Sequence, residues 1–269
     1  MPYAFNNLDL IGEAIKHPPF GLITDVDGTI SQTAPTPQEA KISPLCRHYL
    51  SILYNHLTLV AVVSGRPATE VKNLVGIDGV VYIGNHGLER WAEDHSEYLE
   101  GVRDYSMVIE AVIEELTTLL PMEGIRIEDK GITATIHYRL CQNHKSAENH
   151  ILNALASLSQ VKSLRIIQNR MAIDLLPPVE TNKGTATLGL IREYSLQGSV
   201  YLGDDMTDID AFKAMRIASR NSDFRGFAIG IASKEMPDKL IAEAAFTLNG
   251  VTDVERFLHW MSQTVLGLG

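Results

Sequence analysis

The chain has 269 residues, of which 45% are hydrophobic and 21% are charged, and this balance excludes disordered and fibrous classes. Its 33 acidic and 23 basic residues give a formal net charge of −10, which argues against nucleic acid or an anionic membrane surface as a partner. Two distant cysteines, Cys46 and Cys141, exclude a disulfide framework and favour a reducing compartment.

No apolar segment approaches the roughly 18 residues that a membrane-spanning helix needs. Residues 1–19 carry Asp9, Glu13 and Lys16 and lack the continuous apolar stretch of a signal peptide. We therefore expect a soluble, cytoplasmic protein.

The first part of the chain alternates predicted strands with predicted helices. Apolar runs at 20–24, 59–63 and 80–83 indicate buried strands, and residues 39–54 and 68–74 have the pattern of helices. After residue 183 the rhythm returns, with helices predicted over 183–194, 207–215 and 253–265 and strands over 199–202 and 226–231. This alternation predicts an α/β fold built on a Rossmann-like, doubly wound parallel sheet.

Between these two parts lies a segment with a different pattern. Helices are predicted over 105–120 and 146–158, and each is followed by two short strands. The strands are predicted at 125–128, 133–138, 164–168 and 171–175. The order helix, hairpin, helix, hairpin predicts an inserted α+β domain over residues 104–178. The core domain is then formed by residues 1–103 and 179–269.

Two carboxylates, Asp25 and Asp27, follow the first predicted strand directly. Carboxylates at the end of a buried strand are costly to desolvate unless a cation neutralises them, so a metal ion and a general acid or base role would explain both. The alternative is a simple Asx turn, because Asp27-Gly28 is a common turn dipeptide.

A second acidic cluster, Asp204, Asp205 and Asp208, follows the strand predicted at 199–202. Helix capping would explain Asp208 alone, but three carboxylates within five residues exceed what a helix N-terminus needs. Carboxylate oxygens are the ligands that Mg²⁺ prefers, so the cluster predicts a magnesium site.

Ser64 and Lys183 occupy two further junctions between strands and helices. Ser64 ends the second strand, where its hydroxyl and nearby helix amides would hold a phosphate oxygen, although an ordinary turn serine fits equally well. Lys183 begins a helix, which disfavours a cation unless an anion or carboxylate lies opposite; a solvated lysine is the alternative. All four junctions share one edge of the sheet, and their groups are those of phosphoryl transfer.

These segments, in this order, resemble the four motifs of the haloacid dehalogenase superfamily of phosphohydrolases. The matching residues are 25–29 (DVDGT), 64–66 (SGR), 183–184 (KG) and 203–208 (GDDMTD). The inserted block lies between the second and third motifs, which in this superfamily implies a type-2 cap domain of the C2B form.

A narrower resemblance is to the trehalose-6-phosphate phosphatase family. It rests on residues 84–89 (GNHGLE), 128–131 (EDKG), 137–139 (HYR) and 207–212 (TDIDAF). Ile209 stands where the family has Glu, and residues 175–182 lack the family's Arg-Pro-x-Gly approach to the lysine.

This resemblance implies a Mg²⁺-dependent phosphatase that converts trehalose 6-phosphate to trehalose and phosphate through an aspartyl-phosphate. Asp25 would be the nucleophile and Asp27 the general acid and base, while Ser64 binds the phosphate and Lys183 offsets its charge. The implied metal site consists of Asp25, the backbone carbonyl of Asp27, Asp204 and Asp208, with Asp205 as the alternative assisting residue.

The same resemblance implies a set of substrate-binding residues, most of them in the cap. They are Arg66, Glu128, Lys130, Arg139 and Asp174. For the three residues between 128 and 139, cross-strand pairing at the surface is the alternative.

Three alternatives remain open for the function. The chain would act on another sugar phosphate, such as glucosylglycerol phosphate, mannosylglycerate phosphate or sucrose phosphate; it would be a phosphomutase; or it would be a silent partner of a sugar-phosphate synthase. The expected partner is a small-molecule sugar phosphate. A monomeric state and a functional pairing with a trehalose-6-phosphate synthase stay open.

Overall fold

The computed structural model describes residues 2–221, 223–233 and 238–268. The chain divides into two compact units, one formed by Met1–Glu97 with Thr181–Gly269 and the other by Tyr98–Glu180. They are the core unit and the inserted unit. The segment predicted as an insertion, 104–178, falls within the inserted unit.

Strands and helices are numbered in chain order over the described residues. The strands are β1 (Phe20–Thr24), β2 (Leu59–Val63), β3 (Val81–Gly84), β4 (Glu89–Ala92), β5 (His95–Tyr98), β6 (Arg126–Asp129), β7 (Ala134–His137), β8 (Arg165–Asn169), β9 (Ala172–Leu176), β10 (Gly198–Gly203), β11 (Arg225–Ala232) and β12 (Phe246–Asn249). The helices are α1 (Leu8–Ile15), α2 (Pro44–Tyr54), α3 (Ala68–Val75), α4 (Ser106–Leu119), α5 (His144–Ser157), α6 (Lys183–Glu193), α7 (Asp208–Ala218), α8 (Asp238–Glu243) and α9 (Gly250–Val265).

The core unit is built on one sheet with the strand order β12-β11-β10-β1-β2-β3-β4-β5. Neighbouring strands from β12 to β3 are parallel, and β4 runs antiparallel to β3. Strands β1, β2 and β10 are buried along their whole length, as their largely apolar sequences require. The predicted α/β fold with a doubly wound parallel sheet is confirmed.

Strand β1 marks the place where the strand order reverses. The chain runs outwards from β1 through β2 and β3, and it later adds β10 on the opposite side of β1. Phe20 pairs with Gly198 and Thr24 with Leu202, so the carboxyl ends of β1 and β10 lie side by side. Open α/β sheets bind their ligands at such a switch point.

Two apolar layers cover the faces of this sheet. On one face, Leu22 and Val200 pack with residues of α1, α2, α3 and α9. On the other face, Ile23 and Tyr201 pack with residues of α6, α7 and α8. Successive residues of a strand face opposite layers, which explains how one short strand serves both cores.

The inserted unit has a four-stranded antiparallel sheet in the order β6-β7-β9-β8, and α4 and α5 contribute to its apolar cluster. Ile136 and Ile173 belong to this cluster, whereas their strand neighbours Thr135 and Asp174 lie on the opposite face. Thr135 pairs with Glu128 on one side and with Asp174 on the other, which makes a polar row across that face.

Helix α2 begins at Pro44 rather than at the predicted residue 39. The Ser43 side chain accepts a hydrogen bond from the Cys46 amide at 3.3 Å, and proline suits the first helical turn, so the helix starts there. The prediction also lacked α1, α8, β4, β5 and β12. These elements have between four and eight residues, too few to show an apolar period clearly. Among the helices of the described ranges, none has both the length and the apolar character that spanning a membrane requires.

Tyr3 links the N-terminal segment to α9 through a hydrogen bond. Its hydroxyl donates to Asp253 Oδ2 at 2.6 Å, and Asp253 also accepts from the Asn249 amide and pairs with Arg256. Burial acts to raise the pKa of Asp253, but these hydrogen bonds and the Arg256 charge outweigh it and hold the pKa below its usual value.

We expect Tyr3→Phe to lower the melting temperature by about 2–5 °C at pH 7, because it removes a hydrogen bond to a charged carboxylate. A carboxyl group with a lowered pKa stabilises the fold above its unfolded pKa of about 3.9 and loses this contribution as the pH falls through the folded value. The difference from wild type should therefore shrink towards about pH 2.5. In an Asp253→Asn background the difference should no longer depend on pH; a pH-independent difference in the native background would contradict the assignment.

Candidate active site

Asp25 lies at the carboxyl end of β1, beside β10. Its amide donates to the Leu202 carbonyl at 2.9 Å, which extends the contact between the two strands by one residue. The residue is 5% exposed, and its Oδ1 lies 2.8 Å from Lys183 Nζ. A buried carboxylate held by a lysine at a switch point has the environment of a functional residue.

Lys183 bridges two buried carboxylates. Its Nζ lies 2.8 Å from Asp25 Oδ1 and 2.8 Å from Asp208 Oδ1. Asn182 caps α6 by accepting the Thr185 amide at 2.9 Å, which fixes the helix start from which Lys183 extends. Burial acts to lower the pKa of Lys183, but Asp208 and Asp25 outweigh it and raise the pKa, so the ammonium stays charged. A solvated lysine is therefore excluded.

One ammonium does not balance the negative charge gathered here. Burial raises the pKa of Asp25 to about 7, with Lys183 opposing this effect and the charges of Asp208 and Asp27 adding to it. Oxygens of Asp25, Asp204 and Asp208 all lie within 4.8 Å of one another, and all three residues are buried. Three carboxylates outnumber the one ammonium, and carboxylate oxygens such as those of Asp25 and Asp204 are ligands that fit Mg²⁺.

Gly28 allows Asp204 to approach the turn that follows β1. The backbone of Gly28 has φ +83°, and a Cβ at this position would lie 2.1 Å from Asp204 Oδ2. A side chain here would displace the carboxylate as well as strain the turn. The Asp-Gly turn and the acidic site therefore exist together rather than as alternatives.

Asp208 uses both of its carboxylate oxygens on protein donors. Oδ1 accepts from Lys183 Nζ and from the Tyr201 hydroxyl, both at 2.8 Å, and Oδ2 accepts from the amides of Asp204 and Asp205, both at 3.0 Å. A carboxylate has about four acceptor positions, so these donors fill them. Asp205 is half-buried and accepts from the Met206 amide at 2.6 Å.

Arg66, predicted to bind substrate, holds Asp27 in this structure. Its Nε and Nη2 lie 2.6 and 2.9 Å from the two Asp27 oxygens, in a bidentate fork. The guanidinium also contacts Glu70 and the Pro37 carbonyl. Ser64 is buried at the end of β2 and accepts the Arg66 amide at 3.3 Å. The first two sequence motifs are thus joined through Arg66.

The segment that follows β3 has a strained backbone next to Ser64. Asn85, His86 and Gly87 have φ of +48°, +59° and +102°, which only glycine adopts without cost. The amide of His86 donates to the Ser64 carbonyl at 3.0 Å, and buried Glu89 accepts from Asn85 Nδ2 at 2.7 Å. This conformation lays the His86 ring against Gly65.

In the inserted unit, Glu128 lies in β6 and Lys130 directly follows that strand. Glu128 Oε2 is 2.7 Å from His137 Nε2 and 3.7 Å from Lys130 Nζ. The Lys130 side chain is only 8% exposed, so pairing at an open surface does not describe it. Arg139 lies in the turn after β7, and its carbonyl is 3.0 Å from His144 Nε2.

Asp174 is buried in β9, on the polar face of the same sheet. It accepts hydrogen bonds from Thr135 and Asn169. The row from Glu128 through Thr135 to Asp174 therefore brings two of the predicted substrate-binding acids onto one face.

A family model described as trehalose-phosphatase matches residues 23–248, which include the β1 turn, Lys183 and the acidic loop before α7. The chain belongs to the trehalose-phosphatase family. This membership confirms the resemblance that the sequence motifs indicate.

Relatives in this family match most of the chain. Identity is 28% over 274 residues to a trehalose-phosphate phosphatase of Mycobacterium leprae (strain TN), covering 98% of this chain and 62% of the relative. It is 26% over 285 residues to the probable trehalose-phosphate phosphatase D of Arabidopsis thaliana, covering 99% of this chain and 74% of the relative. The chain thus spans less than two thirds of the Mycobacterium leprae protein.

A solved structure shows the shared fold. The C-terminal domain of C. albicans trehalose-6-phosphate phosphatase has a TM-score of 0.77 to this chain at 19% identity, over 95% of this chain and 96% of that one.

Several residues of the described ranges contact predicted site residues without having been singled out from the sequence. Among them are Tyr201, Glu70, Thr135 and Asn169. Tyr201 lies within a buried strand, where a tyrosine is usually read as a core residue. The sequence feature that could have pointed to Tyr201 is its position three residues before the acidic cluster.

Proposed function

We propose that this chain is a Mg²⁺-dependent phosphatase that hydrolyses trehalose 6-phosphate to trehalose and inorganic phosphate. The observation that carries the proposal is the Lys183 ammonium held between the buried carboxylates of Asp25 and Asp208 at the switch point of the sheet. Membership in the trehalose-phosphatase family supports the substrate, as do the names of relatives that match nearly the whole chain.

Asp25 is the proposed nucleophile and Asp27 the proposed acid and base. An Asp25 oxygen attacks the phosphorus, the bond between phosphorus and the sugar oxygen breaks, and Asp27 gives its proton to that oxygen. A water then loses a proton to Asp27 as its oxygen attacks the phosphorus. The bond between Asp25 and phosphorus breaks, and phosphate leaves.

Ser64 and Lys183 are proposed to bind the phosphate. Two like charges about 4 Å apart repel by roughly 4 kcal/mol at an effective dielectric of 20, so a phosphate approaching Asp25 needs neighbouring cations. Mg²⁺ held by Asp25, Asp204 and the Asp27 carbonyl would supply positive charge in addition to Lys183. Asp208, predicted as a further metal ligand, is proposed instead to act through Lys183 and the amides of Asp204 and Asp205, because protein donors fill its acceptor positions.

We propose that the core unit performs the chemistry and that the inserted unit recognises the sugar. Glu128, Lys130, Arg139 and Asp174 offer the carboxylates and cations that sugar hydroxyl groups require. Arg66 is proposed to orient Asp27 towards the substrate rather than to bind the substrate itself, because its guanidinium already holds the Asp27 carboxylate.

One observation keeps a second substrate open. Residues 175–182 depart from the family sequence before Lys183, and Arg165 donates to the Val179 carbonyl within this segment. A related sugar phosphate is therefore the second candidate substrate.

The test is phosphate release in the presence of Mg²⁺ from trehalose 6-phosphate, sucrose 6-phosphate, glucosylglycerol phosphate and glucose 6-phosphate. We expect kcat/KM for trehalose 6-phosphate to exceed the others by about 10²-fold or more, and EDTA to abolish release until Mg²⁺ is restored. Preference for another ester would overturn the substrate, and release that needs a bisphosphate activator would indicate a phosphomutase. No release from any ester would favour the silent partner of a synthase.

A further inference from the structure

Tyr201 places a buried hydroxyl group behind the lysine bridge. The residue is fully buried in β10, and its ring packs edge-to-face on Phe212 with 5.9 Å between centroids. The hydroxyl donates to Asp208 Oδ1 at 2.8 Å. The same oxygen accepts Lys183 Nζ at 2.8 Å, so one atom links the tyrosine to the lysine.

The phenol acts only as a donor in this position. Burial, and then the negative charges of Asp208 and Asp25, raise the pKa of Tyr201 well above its usual value, so the hydroxyl keeps its proton. Phosphoryl transfer as proposed above has no step that uses this proton. A role for Tyr201 must therefore act through the carboxylate that it contacts.

Asp208 divides its four acceptor positions between two functions. Oδ2 holds the loop amides of Asp204 and Asp205, and Oδ1 holds Lys183 and Tyr201. Lys183 is in turn shared between Asp208 Oδ1 and Asp25 Oδ1, at equal distances of 2.8 Å. Without the tyrosine hydroxyl, Lys183 would be the sole donor to Oδ1, and the attraction of Asp208 would draw the ammonium away from Asp25.

We propose that Tyr201 is a positioning residue, which acts through Asp208 to keep Lys183 against Asp25. The kinetic part of this inference rests on the proposed function, whereas the placement of the ammonium does not. The hydroxyl determines how strongly Asp208 attracts the Lys183 ammonium relative to Asp25. The position of the ammonium between the two carboxylates then determines how Lys183 and Asp25 contact a phosphate group.

Tyr201→Phe removes the hydroxyl and keeps the ring, and Tyr82→Phe is its matched control. Tyr82 is also buried in a strand of the same sheet, and its hydroxyl donates to the Ile77 carbonyl at 2.7 Å. Tyr82 packs in the opposite apolar layer. The Tyr82 hydroxyl also accepts the Ile77 amide at 3.2 Å, so Tyr82→Phe loses two buried hydrogen bonds and Tyr201→Phe loses one. A purely structural effect should therefore lower the melting temperature at least as much in Tyr82→Phe as in Tyr201→Phe.

We expect Tyr201→Phe to lower kcat about tenfold for trehalose 6-phosphate and for p-nitrophenyl phosphate, with KM for trehalose 6-phosphate within about twofold of wild type. The effect is expected on kcat because Lys183 is proposed to bind the phosphate group, which all of these esters share. Tyr82→Phe should keep kcat within about twofold. Equal kcat values in the two variants, or a change in KM alone, would overturn the proposal.

A spectroscopic readout needs no substrate. In protein labelled with ¹⁵N-lysine and free of added metal, the ammonium signal of Lys183 is assigned by its loss in Lys183→Arg. We expect this signal to shift in Tyr201→Phe and to stay in place in Tyr82→Phe. If the Lys183 signal shifts in Tyr201→Phe but the wild-type protein hydrolyses none of the esters, the proposed function is wrong and the positioning role stands. If the wild-type protein hydrolyses an ester but the Lys183 signal does not shift, the proposed function stands and the positioning role is wrong.

If Tyr201→Phe does not fold, the link between Tyr201 and Lys183 is measured by changing Lys183 and observing the tyrosine. In protein labelled with ¹³Cζ-tyrosine, Lys183→Arg should shift one of the nine tyrosine resonances while that of Tyr82 stays unchanged. Nine unmoved resonances would overturn the proposal.

Discussion

Asp25→Asn should lower kcat by about 10⁴-fold or more, because an amide does not replace a carboxylate as a nucleophile towards phosphorus. The free energy of unfolding of the same variant should be at least equal to that of wild type. Burial raises the pKa of Asp25 to about 7, so we expect its charge to destabilise the fold increasingly above the unfolded pKa of about 3.9 and in full above about pH 7. A neutral amide of the same shape removes this cost and the repulsion from Asp208, while Lys183 keeps Asp208 as a partner.

The measurement pairs phosphate release in the presence of Mg²⁺ with urea denaturation in metal-free buffer, both at pH 8. Asp78→Asn is the matched control, because Asp78 is fully exposed and should leave both quantities unchanged. Undiminished release in Asp25→Asn would remove this residue from the mechanism. A large loss of stability would instead show that Asp25 holds the core unit together.

Asp27→Asn should lower kcat by about 10²–10⁴-fold, the usual contribution of a general acid and base. Arg66 donates to both Asp27 oxygens, so a proton on Asp27 requires one of these two contacts to open. An asparagine keeps one acceptor for the arginine but has neither an acidic proton to give nor a carboxylate to take one up. With p-nitrophenyl phosphate, whose leaving group needs little protonation, the variant should release a burst of about one p-nitrophenol per protein and then stall.

Glu70→Gln is the matched control for this experiment, since Glu70 is the second carboxylate on the same guanidinium. It should change kcat by less than about fivefold, because it leaves the Asp27 fork in place. A similar loss of kcat in both variants would mean that the arginine, and not the Asp27 proton, is what the reaction requires. An unchanged rate in Asp27→Asn would exclude it as acid and base.

The sheet could be predicted from the sequence because its central strands are continuous apolar runs between clear helices. Strands β1 and β2 have the bounds that their apolar residues predict. The β4–β5 pair escaped prediction because it combines short length with half-exposed, polar residues at the edge of the sheet. Periodicity identifies elements with a buried face, and edge strands have little of one.

The lysine bridge could be predicted in part, because a cation at a helix start calls for a carboxylate opposite. The contact between Tyr201 and Asp208 could not be predicted, because the sequence does not show whether the hydroxyl of a tyrosine in a buried strand contacts a charged group. The Arg66 fork on Asp27 likewise depends on how two turns meet, and no spacing along the chain encodes it.

The pairing of Phe20 with Gly198 has a consequence for how the chain is made. A ribosome delivers β1, β2 and β3 long before β10, so the backbone groups on one side of β1 have no strand to pair with until β10 has been made. The inserted unit, which is continuous in sequence and has its own apolar cluster, is complete in the meantime. Asp25 therefore meets Lys183 and Asp208 only after the whole inserted unit has been made, and the lysine bridge forms together with the pairing of β1 and β10.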